Sequence, residues 1–151
     1  MLPSNYKIFE MNQSVKNLEN AHQAFRVGRL SDAEEICREI LGNDEQCAGA
    51  WHLMGKMAAL QSDLEAAGEF SSAACDLDPQ NAEFTRDFSE VFLRKKELEP
   101  AEQHSRRALE LLPDSPEGLV LLARILAEKE EKSAALEAFQ EAVRIRKDYA
   151  E

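Results

Sequence analysis

Apolar residues recur along this chain with the spacing of one face of a helix. Trp51, Met54 and Ala58 follow one another at i, i+3 and i+7, and the same spacing returns from Leu119 to Leu126. Such spacing is typical of amphipathic α-helices. Polar stretches interrupt it at regular intervals, so the pattern predicts helices over residues 15–27, 31–42, 48–61, 64–77, 82–95, 98–111, 116–129 and 132–147.

The pattern is an internal repeat with a period of 34 residues. Small residues recur at that interval in two series, which are Ala33, Ala67, Ala101 and Ala135, and Ala21, Gly55, Ser89 and Ala123. A fixed period of this length is typical of proteins built from stacked units. It predicts four units of two helices each, over 14–47, 48–81, 82–115 and 116–149. Residues 1–13 are then an N-terminal extension or an extension of the first helix, and 150–151 are the start of a truncated further repeat or a tail.

Several residues match the chemistry of helix ends. Ser31 and Ser62 each precede a glutamate by three residues, which is the pattern of a capping box. Ser115 precedes Pro116, which combines a capping side chain with a proline in the first turn. Gly28 is predicted to end the first helix, because glycine adopts the left-handed conformation at little cost.

A 34-residue helix–turn–helix with W-x2-L-G-x2-Y, then A-x3-F, then P resembles the tetratricopeptide repeat (TPR) pattern. The first unit departs most from it, since Asn17 and Asn20 stand where apolar residues are expected. The resemblance covers about nine-tenths of the chain and implies an all-α fold, a right-handed α-solenoid of four repeats. First helices would line a concave groove and second helices would face outward. The second unit matches best, through Trp51, Met54, Gly55, Ala58, Ala67, Ala74 and Pro79.

Charge narrows the classes of partner. Among 151 residues, 18 are Lys or Arg and 29 are Asp or Glu, for a formal net charge of −11. This balance argues against nucleic acid and anionic membrane surfaces, because both attract basic proteins. No apolar run approaches the 18 residues typical of a membrane span, so no membrane insertion is expected. The first residues lack the charged start and apolar run of a signal peptide, and we expect a cytoplasmic location.

The sequence offers little catalytic chemistry. Its three histidines fall into no metal-binding spacing, and its three cysteines contain no C-x-x-C. It also lacks a glycine-rich phosphate loop. We therefore expect no catalytic residue, no metal and no cofactor in this chain.

The resemblance implies that function lies in the groove. Repeat proteins of this kind present extended concave surfaces to their partners. We expect the protein or peptide partner to offer a helix or an extended peptide with apolar anchors and mixed charge. Carried over from the family's geometry, the predicted partner-binding positions are Leu18, His22, Phe25, His52, Leu53, Lys56, Leu60, Arg86, Glu90, Arg94, Val120 and Arg124.

Alternatives remain open for some of these positions. Leu53 and Leu60 could instead pack between neighbouring first helices. Arg86 and Arg124 could be solvated or paired with acids of the chain itself. A clamp for a terminal carboxylate is not expected, because Asp87 and Glu83 occupy positions that would repel it.

Two classes of function follow. The first is a non-catalytic protein–protein interaction scaffold. The alternative is an N-terminal docking domain of a larger enzyme, such as a bacterial glycosyltransferase or sulfotransferase, whose preceding helices are similar to residues 24–30. The last helix leaves Leu136, Phe139 and Val143 uncovered on one flank. We expect either that the chain is part of a longer protein or that a second copy covers this flank in a homodimer.

Overall fold

The computed structural model describes residues 4–148, with side chains described for Gln13 and for 15–148. Within them the chain forms eight helices: α1 Ser4–Arg26, α2 Leu30–Asn43, α3 Ala48–Leu60, α4 Leu64–Leu77, α5 Ala82–Arg94, α6 Leu98–Leu111, α7 Pro116–Glu128 and α8 Lys132–Asp148. From α2 onward every predicted helix begins and ends within one residue of these bounds. Only α1 differs, because it begins at Ser4 instead of residue 15. The division into four units, with the segments 1–13 and 150–151 outside them, stays a prediction.

The helices stack in pairs and form a curved solenoid. Each odd-numbered helix packs against the helix that follows it, and α2–α3, α4–α5 and α6–α7 contacts join successive pairs. First helices also contact one another, α1 with α3, α3 with α5 and α5 with α7, whereas α2, α4, α6 and α8 make no contact with one another within the described residues. Because the stack is tighter on the side of the first helices, it curves around them. We call the concave face formed by α1, α3, α5 and α7 the inner face.

Small residues occupy the positions where the two helices of a pair cross. A Cβ atom added to Gly55 would lie 2.9 Å from the Ser71 hydroxyl of α4. The Ser89 hydroxyl donates a hydrogen bond of 2.7 Å to the Ala101 carbonyl of α6. Larger side chains would push the helices apart, because protein interiors are close-packed. The repeating alanines are accordingly buried, namely Ala33, Ala67, Ala101 and Ala135.

Two of the helix caps differ from those that the sequence predicts. The capping boxes predicted at Ser31 and Ser62 are wrong, because α2 begins one residue before Ser31 and α4 is capped by Asp63. The Asp63 carboxylate accepts a hydrogen bond of 3.1 Å from the Ala66 amide. The cap predicted at Ser115 is confirmed, since its hydroxyl accepts a bond of 3.0 Å from a backbone amide of α7.

The turn inside each helix pair uses a left-handed residue. Gly28, Ser62, Lys96 and Glu130 lie 34 residues apart and have φ angles of 80°, 63°, 63° and 64°. The amide after each of them bonds to the carbonyl five residues back, as in the Schellman motif that ends many helices. The prediction that Gly28 ends the first helix is confirmed. The other three positions hold residues that adopt this conformation only at a cost.

This cost predicts opposite effects of two exchanges. Ser62→Gly should raise the free energy of unfolding by about 1 kcal/mol, because it relieves left-handed strain. Gly28→Ser should lower it by a similar amount, and a Cβ there would meet no heavy atom within 4 Å, so packing stays the same. Urea unfolding followed by circular dichroism measures both. Equal stability of the three proteins would contradict the assignment of strain to this turn position.

Candidate binding surface on the inner face

The predicted groove residues all lie on the four helices of the inner face, but two of them are buried. Leu53 is fully buried, packed with Leu18 and Ala21 in the core cluster at the N-terminal end of the solenoid. Its assignment to the partner-binding surface is therefore corrected: it packs between helices. Leu60, on the same helix, is 63% exposed. His52 is also buried, so its contacts are with the protein itself.

The prediction for Leu53 is wrong because this position lies at the seam between neighbouring first helices. The residues 34 positions before and after it are Glu19, which is exposed, and Asp87, which is half-buried. Leu121, one repeat further, is buried. The apolar side chains at this position are covered by the seam, whereas Glu19 is exposed and Asp87 is held by polar partners.

A polar cluster links α3 to α5. His52 Nε2 lies 2.9 Å from Asp87 Oδ2, and the Arg86 guanidinium donates to the other oxygen, Oδ1, at 2.8 Å. The His52 ring also stacks on Phe84, with centroids 4.3 Å apart. Burial alone would raise the pKa of Asp87, but the bonds from His52 and Arg86 outweigh it and lower that pKa below its usual value. Asp87 is thus an ionised crosslink between two first helices.

The same cluster contains three side chains whose donor atoms are close enough together to be considered as metal ligands. Donor atoms of His52, Glu83 and Asp87 lie within 4.8 Å of one another. Both carboxylates already face cations, since Lys56 Nζ lies 3.9 Å from Glu83 Oε1 and Arg86 pairs with Asp87. Nearby positive charge opposes the binding of another cation. The donor set therefore fits an ion-pair network, and we assign no metal to it.

A register of titratable side chains runs along the rest of the inner face. His22, Lys56, Glu90 and Arg124 lie 34 residues apart, one on each first helix. The Arg124 guanidinium donates two hydrogen bonds to the Glu90 carboxylate, of 2.8 and 3.1 Å. Such bidentate pairs are the stronger kind of ion pair. Arg86 and Arg124 thus both pair with acids of the chain, which was one of the alternatives for them, and their contact with a partner stays a prediction.

A small apolar cavity opens beside this register, between α3 and α5. It has a volume of about 200 Å³. The Arg94 guanidinium closes one side, where it donates a bond of 2.7 Å to the Ala59 carbonyl. Lys56 Nζ lies over the Phe25 ring, 5.5 Å from its centroid, in a cation–π contact. The apolar lining consists of Phe25, Gly55, Ala59, Leu60 and Val91.

The last helix has a flank that the described residues leave exposed, as the sequence predicts. The exposed fractions of Leu136, Phe139 and Val143 are 58%, 38% and 55%. No helix within the described residues is long and apolar enough to cross a bilayer.

The eight-helix solenoid and its 34-residue register agree with comparisons to known proteins. The profile of a family described as Tetratricopeptide repeat matches residues 18–82 and 87–150. This chain belongs to the tetratricopeptide repeat family. Among curated proteins none matches it significantly.

Solved TPR-like structures share the fold at low sequence identity. The crystal structure of MamA superposes with a TM-score of 0.81 at 17% identity, over 96% of this chain and 86% of that one. Pseudomonas aeruginosa PilF superposes at 0.83 with 18% identity, over 89% of this chain and 61% of that one. An O-GlcNAc transferase from Thermobaculum terrenum superposes at 0.75 with 24% identity, over 83% of this chain but 23% of the enzyme. At these identities the likeness shows the fold alone.

Burial predicts that two leucines of α3 respond differently to truncation. Leu53→Ala should cost about 2–5 kcal/mol of unfolding free energy, because it leaves a cavity in the core. Leu60→Ala should change stability by no more than about 0.5 kcal/mol, since its side chain is mostly in solvent. Urea unfolding of both variants checks this. Similar losses in the two would mean that the seam between α1 and α3 is misassigned.

His22 should make stability depend on pH. Burial lowers the pKa of His22 below 6.5, and the positive charges of Lys56 and Arg26 act in the same direction, although Glu83 opposes them. Protonation then disfavours the folded state, so stability should fall as the pH drops from 6.5 through the lowered pKa. His22→Gln should lose less stability between about pH 8 and about pH 5, where histidine changes charge. Unfolding midpoints at the two pH values measure the difference, and an identical loss in both proteins would contradict the assignment.

Proposed function

We propose that the chain is a non-catalytic interaction scaffold whose inner face binds a segment of a partner protein. The observation that carries this proposal is the cavity between α3 and α5, with Leu60 exposed at its edge. A mostly exposed leucine beside an apolar hollow is the arrangement in which a partner's side chain is buried with it. Membership of the TPR family supports a binding role, because repeat proteins use their concave surfaces in this way.

The charges around the cavity indicate the chemistry of the partner. Helices α1, α3, α5 and α7 together carry seven basic and seven acidic residues, although the whole chain has a net charge of −11. Many of these charges are already paired, as in Arg124 with Glu90. A strongly charged ligand would gain little from such a surface. We therefore propose a peptide or helix that inserts one large apolar side chain and carries charges of both signs.

Leu60→Glu provides the test, because a carboxylate at the rim would oppose burial of an apolar side chain. Random peptides displayed on phage are selected on the wild-type chain, and the synthesised binders are titrated against each variant. Their affinity for Leu60→Glu should fall at least about tenfold, which corresponds to about 1.4 kcal/mol. Leu112→Glu is the matched control, since Leu112 is similarly exposed but follows α6, outside the lining of the cavity.

Circular dichroism must first show that both variants are folded. Equal affinity of the selected peptides for wild type and Leu60→Glu would overturn the inner-face proposal.

The uncovered flank of α8 supports a second candidate, which is a homodimer. In α6 the side chain of Leu109 packs close to Gly118 of α7. Val143 occupies the same register in α8 and is 55% exposed. A second copy of the chain would cover Val143 in the way that α7 covers Leu109 of α6. Light scattering at high protein concentration tests this, and a monomer there would overturn it.

The docking-domain alternative rests on the likeness to a stretch of O-GlcNAc transferase, which is a likeness of fold. A catalytic domain encoded in the same reading frame would favour that alternative. The cytoplasmic location also remains a proposal, and fractionation of cells that express the native gene tests it.

A further inference from the structure

An open cleft lies on the outer side of the solenoid, where α4 and α5 meet. Its volume is about 520 Å³, which is larger than the cavity on the inner face. Phe88 and Phe92 of α5 form its apolar part, and their rings pack together at 4.6 Å between centroids. Gly68 and Ser72 of α4 line it beside the aromatic rings. This cleft shares no lining residue with the inner-face cavity.

The cleft exists because α4 lacks a charged pair that its neighbours have. In α2 the pair is Glu34 with Arg38, and in α6 it is Glu102 with Arg106. Both pairs form salt bridges at i, i+4. The same two positions in α4 hold Gly68 and Ser72. The long side chains that cover these positions in α2 and α6 are therefore missing from α4, which has only a hydrogen atom and a hydroxymethyl group there. A Cβ atom at Gly68 would meet nothing within 4 Å, so this space is open.

Apolar surface is left partly exposed as a consequence, although the His104 ring of α6 contacts both phenylalanine rings, with centroids 4.8 and 5.1 Å away. Phe88 and Phe92 are only half-buried, although they are the largest apolar residues at their register. Their counterparts in α3 and α7 are between 2% and 8% exposed, namely Met54, Ala58, Leu122 and Leu126. Two adjacent aromatic rings in a cleft are the kind of surface on which an apolar anchor of a partner gains most binding energy.

The rim of the cleft is acidic. Glu65, Glu69 and Asp76 line it, and the base among the lining residues, Lys95, is already held by Glu65 and Glu97 at 3.1 and 3.2 Å. Helices α2 and α4 together carry seven acidic residues and one basic residue. A basic ligand is therefore attracted to this side of the molecule.

We propose that the cleft binds a basic amphipathic helix of a partner protein. One or two apolar side chains of that helix would contact Phe88 and Phe92, and its Lys or Arg residues would face Glu69 and Asp76. Gly68 and Ser72 are one helical turn apart, so the partner's backbone can approach α4 closely along this line. This is the mode in which an amphipathic helix lies in an apolar groove.

The test restores to α4 the pair found in its neighbours. Gly68→Glu with Ser72→Arg leaves the net charge unchanged and removes a helix-interior glycine, so this variant should fold and have a higher Tm. The matched control introduces the same two side chains at the equivalent positions of α8, through Leu136→Glu with Gln140→Arg. The probe is a fluorescent synthetic amphipathic helix of Leu and Lys residues, followed by anisotropy. A second peptide has Glu at every Lys position.

We expect the Lys peptide to bind wild type and the α8 variant equally, and to bind the α4 variant at least tenfold more weakly. Its affinity for wild type should fall with added salt, and the Glu peptide should not bind. Equal binding to wild type and the α4 variant would overturn the proposal, as would binding of the Glu peptide. Loss of binding in the α8 variant alone would assign the probe to the uncovered flank of α8. Loss in Leu60→Glu alone would assign it to the inner face, and either result overturns the cleft.

Discussion

The close crossing of the two helices in each pair is the contact on which the rest of this structure depends. Side chains no larger than serine occupy it, such as Gly55 against Ser71 and Ser89 against Ala101. Each crossing fixes the angle of one pair, and the 34-residue period repeats that angle along the chain. The first helices are thereby brought into contact and the second helices are spread apart. The concave face follows from this single constraint on side-chain volume.

A backbone fixed in this way leaves function to the positions that differ from repeat to repeat. The register that begins at His22 continues through Lys56 to Glu90 and Arg124, so one geometric position carries an imidazole, an ammonium, a carboxylate and a guanidinium. Because consecutive members lie on neighbouring helices, opposite charges meet, as Glu90 and Arg124 do at 2.8 Å. Differences between repeats therefore act locally, and they change a surface without changing the solenoid.

The sequence predicted the parts of this molecule that repeat. Helices α2 to α8 and the turn at Gly28 follow from a period that any unit shares with the others. It failed where a local contact decides between equal alternatives. Asp63 caps α4 instead of Ser62 because the turn needs a left-handed residue at position 62. Leu53 is buried because the seam covers it, and spacing alone does not distinguish that position from the exposed Leu60.

The outer cleft shows a further limit, because it arises from what α4 lacks. Gly68 and Ser72 look unremarkable in a helix that is otherwise rich in small residues. Their meaning appears only when the register is compared with Glu102 and Arg106 of the next repeat.

The two candidate surfaces should differ in how they attract a ligand. On the inner face the charges are balanced and largely paired, so a partner there gains mainly from burying an apolar side chain beside Leu60. Around the outer cleft the acids outnumber the bases, and within the described residues Glu69 and Asp76 have no ion-pair partner. Interactions of such exposed charges reach about 10 Å at moderate salt and weaken as salt is added. The proposed inner-face site thus relies on shape and the proposed outer cleft on charge, and together they would let one solenoid hold two different segments at once.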